Sequence, residues 1–252
     1  MKNKPKIFFA IASLTLAALA CQAVASGPSS NDLPDSPPEN TSIPNIPEST
    51  AVPLPTQEEP VANSGALFED DFSGGRTQWG TGTDADSSVE YLDETLNFQI
   101  LTENYYVRTT ANDKDYENVH MEVTVINNNT NSNTAFGLIC YQQFIDDSYY
   151  YFAITPAGEY GIAKAALAQP DVFLTNNDEW GDSDLIAKDA ASYRVGADCG
   201  NGKLTLYVDG QEIVSVDDST YTTGGFGLFA SSAVDAASVN VSFDDFVMTK
   251  LP

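Results

Sequence analysis

His120 is the only histidine in the sequence, so any Ser-His-Asp triad or histidine-rich metal site would have to be built around it. Its neighbours in strand phase, Glu122 and Thr124, are polar, which reads as an ordinary surface strip. The three cysteines, Cys21, Cys140 and Cys199, form no C-x-x-C pair, and no glycine-rich phosphate loop is present. Acidic pairs recur: Asp70-Asp71, Asp146-Asp147, Asp217-Asp218 and Asp244-Asp245. Clustered carboxylates are the ligand type that a divalent cation such as calcium takes outside a cell, and equally the make-up of a solvated surface. Tyr141, Tyr149, Tyr151 and Trp180 offer another chemistry. Flat rings stack on the C–H faces of sugars, and amides such as Gln142, Gln143, Asn176 and Asn177 pair with hydroxyls. The same tyrosines also read as half-buried packing residues.

The elements that must position these groups begin after a leader. Lys2, Lys4 and Lys6 precede an uncharged, mostly apolar run over residues 7–20. That run is too short to span a bilayer, which takes about 20 residues, and has the proportions of a signal-peptide core. Residues 1–20 are therefore expected to be a signal peptide. Two cleavage sites compete. Ala18-Leu19-Ala20-Cys21 resembles a bacterial lipobox with leucine and the small residue exchanged, and would leave Cys21 as a lipidated N-terminus. Ala23-Val24-Ala25 is a small-x-small site whose use would release a soluble protein. Cysteine parity favours lipidation of Cys21, because Cys140 and Cys199 can then pair with no thiol left over.

Residues 21–65 form an acidic linker. Nine of the 13 prolines lie between residues 26 and 65, where there is no Lys, Arg, Phe, Tyr or Trp. Such a segment cannot bury enough apolar surface to offset its ordering entropy and is expected to be a disordered spacer. The formal charge of −25 opposes binding to nucleic acid or to anionic lipid surfaces, so contact with a membrane is expected only through the N-terminal lipid.

Residues 66–252 carry 25 of the 27 aromatic residues and form one domain with ample material for a core. Their dominant period is two. Val119, Met121, Val123 and Val125 alternate with polar residues, as do Leu204, Leu206 and Val208. Asp209-Gly210 is a two-residue hairpin signal, and Gly200-Asn201-Gly202 and Pro156-Ala157-Gly158 mark further turns. About a dozen strands follow from this spacing, with helical periodicity nearly absent. The expected fold is all-β, a two-sheet antiparallel jelly roll. The run Tyr149 to Ile154 is apolar in both phases, so one face fills the core while the other is covered or makes contacts. Cys140 and Cys199 each end an alternating strand, which predicts a disulfide between adjacent strands.

Several stretches, in order, resemble a known group: Leu67-Phe68-Glu69-Asp70-Asp71-Phe72-Ser73, Phe136-Gly137-Leu138-Ile139-Cys140-Tyr141, Tyr150-Tyr151-Phe152-Ala153-Ile154, Leu206-Tyr207-Val208-Asp209-Gly210, Gly225-Phe226-Gly227-Leu228 and Phe243-Asp244-Asp245-Phe246. Together they resemble bacterial extracellular domains of the concanavalin A-like lectin/glucanase superfamily, near the 3-keto-disaccharide hydrolase-like and laminin-G-like branches. The resemblance implies a β-jelly-roll sandwich but no single activity. Retaining glucanases of the superfamily carry E-x-D-x-x-E on one strand. That pattern is absent here, and Glu90-Tyr91-Leu92-Asp93-Glu94 has the wrong spacing and lies at a turn. Related folds hold a structural calcium where the first and last strands meet, so the resemblance makes Asp71 and Asp245 the candidate ligands. The expected function is that of an exported, lipid-anchored, monomeric module of the cell surface or periplasm, binding glycan or another extracellular ligand without catalysis. The alternatives are a glycoside hydrolase of the 3-keto-glycoside type, using Asp146, Asp147 or Asp178, and a structural or adhesive envelope protein.

Overall fold

The computed structural model describes residues 65–74, 78–129, 132–234 and 238–251. The expected signal peptide, Cys21 and nearly all of the linker lie outside the described residues. No described residue is helical. The first eight strands are β1 (Ala66–Asp70), β2 (Gly82–Thr83), β3 (Ser87–Leu92), β4 (Thr95–Ile100), β5 (Tyr106–Thr110), β6 (Val119–Asn127), β7 (Ala135–Gln143) and β8 (Ser148–Ile154). They are followed by β9 (Glu159–Ala165), β10 (Val172–Phe173), β11 (Gly181–Asp182), β12 (Ser192–Gly200), β13 (Lys203–Val208), β14 (Gln211–Asp217), β15 (Gly225–Ser231) and β16 (Val239–Lys250).

All the pairings are antiparallel and build two sheets. One runs β14-β13-β12-β6-β16-β4-β3-β2, with β1 also on β16, and the other runs β10-β9-β8-β7-β15-β5, with β11 also on β9. The turn chemistry is as the sequence requires. Asp209 and Gly210 have φ of 50° and 75°, and Asn201 and Gly202 have 54° and 73°, the double left-handed geometry that joins twisted hairpin strands. The first and last strands pair, Phe68 opposite Met248 and Asp70 opposite Phe246.

The period-two residues meet between the sheets. Val119, Met121, Val123 and Val125 of β6 are buried while His120, Glu122 and Thr124 between them are only partly covered. They face Phe136, Leu138, Tyr150, Phe152, Ile154, Phe226 and Leu228 of the other layer within one core. An aromatic cluster fills one part of it, where Phe226 stacks on Phe246 at 5.3 Å and Trp79 meets both edge-on. Asp70, buried beside them, accepts hydrogen bonds from Trp79 Nε1 (3.2 Å) and the Phe72 backbone N–H (2.9 Å).

Cys140 and Cys199 are joined in a disulfide, as expected, with Cα atoms 6.7 Å apart. The placement differs from the expectation. The two residues lie not on adjacent strands but on β7 and β12, which belong to opposite sheets, so the bridge crosses the core. Alternation shows that both sulfurs point inward, since Cys140 shares phase with Phe136 and Leu138 and Cys199 with Val195 and Ala197. It does not say which layer each strand joins.

Candidate functional site

β7 and β8 are buried on both faces. Tyr150, Phe152 and Ile154 point into the core, while Ile139, Tyr149, Tyr151, Ala153, Ala163 and Phe229 form a second apolar cluster on the outer face of the same sheet. The pairing register brings small residues side by side there: Gly137 lies opposite Ala153, and Ala153 opposite Gly161. Rings rise around this low floor. Tyr106 of β5 stacks on Phe229 of β15 at 5.4 Å, and Tyr151 meets Phe229 edge-on at 5.5 Å. On the far side Phe173 lies 5.2 Å from Trp180. Gly161 permits that approach, because a Cβ there would stand 2.6 Å from a ring carbon of Phe173.

The segment carrying Phe173 and Trp180 is held to the sheet edge by its backbone. The Leu174 N–H donates to the Ile162 carbonyl (2.8 Å), and the Phe173 N–H donates to Asp178 Oδ1 (2.7 Å). Asn176, Asn177 and Asp178 take φ of 46°, 57° and 72°, a left-handed turn that Asn and Asp tolerate. Asn176 and Asn177 thus serve the turn that presents Trp180.

The result is a cleft of about 210 Å³ with Ala135 and Ala153 on its floor and Tyr106, Tyr151, Trp180 and Phe229 as walls. Asp171 is the one carboxylate among the described residues lining it, and it accepts a hydrogen bond from the Tyr151 hydroxyl at 3.0 Å. Trp180 remains 37% exposed. Burial raises the Tyr151 hydroxyl far above the usual phenol range, with the charge of Asp171 adding to it. Burial also raises the Tyr149 hydroxyl. Both phenols therefore stay neutral near pH 7, and the Tyr151 hydroxyl keeps its proton as the donor to Asp171.

Further along β5 lies a wider hollow of about 710 Å³ bordered by residues 80–84 near the other sheet's edge and by Arg108, Gln142, Phe144 and Asp147. Arg108 donates to Gln142 Oε1 and Asp147 Oδ1, each at 2.5 Å, and its guanidinium lies 5.0 Å over the Tyr149 ring.

The structure brings Tyr151 and Trp180 into one cleft and places Tyr149 on the same face. It does not bring Tyr141 there. β7 bulges between Cys140 and Gln143, and Tyr141 takes a φ of 54°. The extra residue reverses the phase, turning Tyr141 inward and Gln142 outward. The Tyr141 hydroxyl donates to the Cys199 carbonyl (2.7 Å) and accepts from the Asn118 N–H (3.2 Å), so it braces the sandwich beside the disulfide. Gln143 clamps backbone, donating to the Tyr141 and Thr223 carbonyls. Tyr106, Phe229, Asp171 and Arg108 complete the face and escaped sequence reasoning. The available signal was that GFGLFA, like YYYFAI, is apolar in both phases.

The carboxylates considered for hydrolysis have other partners. Asp146 accepts from Ser148 Oγ, Asp147 from Arg108 and Gln142, and Asp178 from the Phe173 N–H. Glu90 stands on β3, and Asp93 and Glu94 form the β3–β4 turn with φ of 49° and 61°. For the calcium expectation, pairing of β1 with β16 does bring Asp71, Asp244 and Asp245 close enough that the charges of the other two help raise the Asp244 carboxyl, after burial as the main cause. Among the described residues, however, no three Asp, Glu, His or Cys side chains converge in a way that fits a metal ion. The Asp245 backbone carbonyl accepts a hydrogen bond from the Arg194 guanidinium at 2.7 Å.

No protein-family model and no curated relative matches this sequence. Solved structures do match in shape. A carbohydrate-binding module, CBM66 from Bacillus subtilis, superposes with a TM-score of 0.51 at 16% identity, covering 69% of this chain and 96% of that one. A Bacillus subtilis protein of unknown function with a galectin-like fold gives 0.55 at 11% identity, covering 74% and 96%. A glycoside hydrolase family 16 endo-glucanase from Bacteroides ovatus gives 0.51 at 15% identity, covering 72% and 99%. At such identities the likeness is one of fold, and the chain is a two-sheet antiparallel jelly-roll sandwich of the galectin-like, concanavalin A-like kind.

Proposed function

We propose that this protein is an exported, lipid-anchored, non-catalytic module that binds glycan on the outer face of its seven-stranded sheet. The observation that carries the reading is the cleft itself: an alanine floor, aromatic walls and, among the described residues, a single lining carboxylate. Rings of this kind offer stacking faces for sugar C–H groups, while Asp171 and the tyrosine hydroxyls pair with sugar hydroxyls. Hydrolysis by the common mechanism needs two carboxyl groups flanking the scissile bond, and among the described residues this cleft presents one. Both a carbohydrate-binding module and a glucanase share the fold, so the site rather than the fold favours binding. Export accords with the cross-core disulfide, a bond that persists in oxidising compartments. Anchoring through Cys21 rests on the leader sequence.

A glycan array probed with the protein tests the reading, followed by chromatography of any bound glycan after long incubation. Binding without shortened products is expected, as is its loss in Trp180→Ala. Silence across the array would leave the structural or adhesive role in front, and release of shorter sugars would replace binding by hydrolysis.

A further inference from the structure

We infer that the hollow beside Arg108 is a second sugar subsite, so that the ligand is a neutral oligosaccharide spanning both depressions. This inference rests on the glycan-binding reading and extends it. Arg108, Gln142 and Asp147 form a closed polar triad: Arg108 donates to Gln142 Oε1 and to Asp147 Oδ1, and Gln142 Nε2 donates to the same Asp147 oxygen at 2.7 Å. The guanidinium is further fixed over the Tyr149 ring. The triad borders the 710 Å³ hollow, with the Arg108 and Asp147 side chains 26% and 37% exposed. Two of the five guanidinium N–H groups are used in these bonds, and Asp147 Oδ2 takes no hydrogen bond from a described residue. A rigid donor beside a rigid acceptor suits a vicinal diol, in which one hydroxyl accepts while its neighbour donates. Phe144, 47% exposed at the rim of the hollow, supplies the apolar face that sugar stacking needs.

The two depressions draw on successive parts of β5. Tyr106 lines the aromatic cleft and Arg108 lines the hollow, and these two residues are same-face neighbours on β5, about 7 Å apart at strand geometry. That step is comparable to the length of a sugar unit, so one chain can occupy both. Charge selects among sugars. The chain's formal charge of −25 repels acidic glycans, and Arg108 is already neutralised by Asp147.

Titration calorimetry on the full protein tests this, using ladders of one to six units of glucose, galactose, mannose, xylose or fructose. Wild-type protein is expected to gain about tenfold or more in affinity between one and three units of its preferred ladder, the effect of one or two charge-assisted hydrogen bonds. Arg108→Met is expected to flatten that ladder. Asp147→Asn, which keeps the shape of the turn, is expected to weaken the gain while circular dichroism and melting stay close to wild type. A steep ladder retained in both variants overturns the second subsite, as does a flat ladder in the wild type, while glycan binding itself stands in either case. No binding at any length overturns both readings together.

Discussion

Replacing His120 by glutamine probes a charged strip on the outer face of the nine-stranded sheet. His120 Nδ1 lies 2.6 Å from Asp198 Oδ1, and Nε2 lies 3.3 Å from Glu122 Oε1. Both acids are themselves held, Asp198 by the Tyr207 hydroxyl at 2.9 Å and Glu122 by Arg194 Nε at 3.2 Å. The hydrogen bond to Asp198, then that to Glu122, lifts the imidazole from its ordinary 6.5 to about 9. At 1.36 kcal/mol per pH unit, that rise corresponds to at most ~3.4 kcal/mol. The His120 side chain is 29% exposed, so solvent screens the pair and a contribution of about 1–2 kcal/mol is the reasonable expectation. The sign follows from the direction of the rise. The folded state binds the proton more tightly, so the stabilisation is complete below 6.5, fades as the pH climbs toward about 9, and is gone above it. The lowered carboxyl of Glu122, caused first by its bond to His120, is the same interaction seen from the acid side and is not added; it fades as the pH falls below 4.5. Urea unfolding followed by tryptophan fluorescence at about pH 6, 8 and 10 should show the gap between wild type and His120→Gln largest at the lowest of these and near zero at the highest. An equal gap at all three, or one that widens with pH, refutes the reasoning.

Other consequences are simpler to read. Opening the disulfide by Cys140→Ala with Cys199→Ala frees a loop of 59 residues, worth about 4 kcal/mol by chain entropy, so calorimetry should show the melting temperature lower by on the order of 10 °C. Tyr141→Phe removes the donor to the Cys199 carbonyl and the acceptor for the Asn118 N–H; chemical unfolding should report a loss of about 1–3 kcal/mol, with glycan binding unchanged. Gly161→Val pushes a side chain into Phe173, whose ring carbons would lie 2.6 Å and 2.9 Å from the new Cβ; the array signal should fall with the displacement of Phe173 and Trp180, and stability by about 1–3 kcal/mol.

Much of the sandwich is written locally. The alternation of β6 and β13 states which side chains face the core, and Asp209-Gly210 with Asn201-Gly202 states where the chain reverses. Burial of one face imposes period two, and a left-handed turn selects Asn, Asp and Gly, so both constraints act on neighbouring residues and leave a trace in their order. The doubly apolar run of β8 likewise announced a second covered face, which proved to carry Tyr149 and Tyr151. The cysteine pair was legible from parity and phase.

What the local pattern could not carry is the choice of partner. Phase reports the orientation of Cys140 and Cys199 and not their layer; packing sends β7 and β12 to opposite sheets. An unbroken strand would point Tyr141 to the outer face, whereas one extra residue in the β7–β8 pairing turns it inward. The cleft draws its walls from β5, β8, β15 and the segment before β11, positions spread from Tyr106 to Phe229. Their meeting depends on which strands pair across the sheet, a property of the whole packed core rather than of any stretch of chain. The sequence by itself determined the strands, their buried faces and their turns, because these arise from interactions between near neighbours. Only the tertiary structure decided which faces oppose one another, and with that where a ligand can lie.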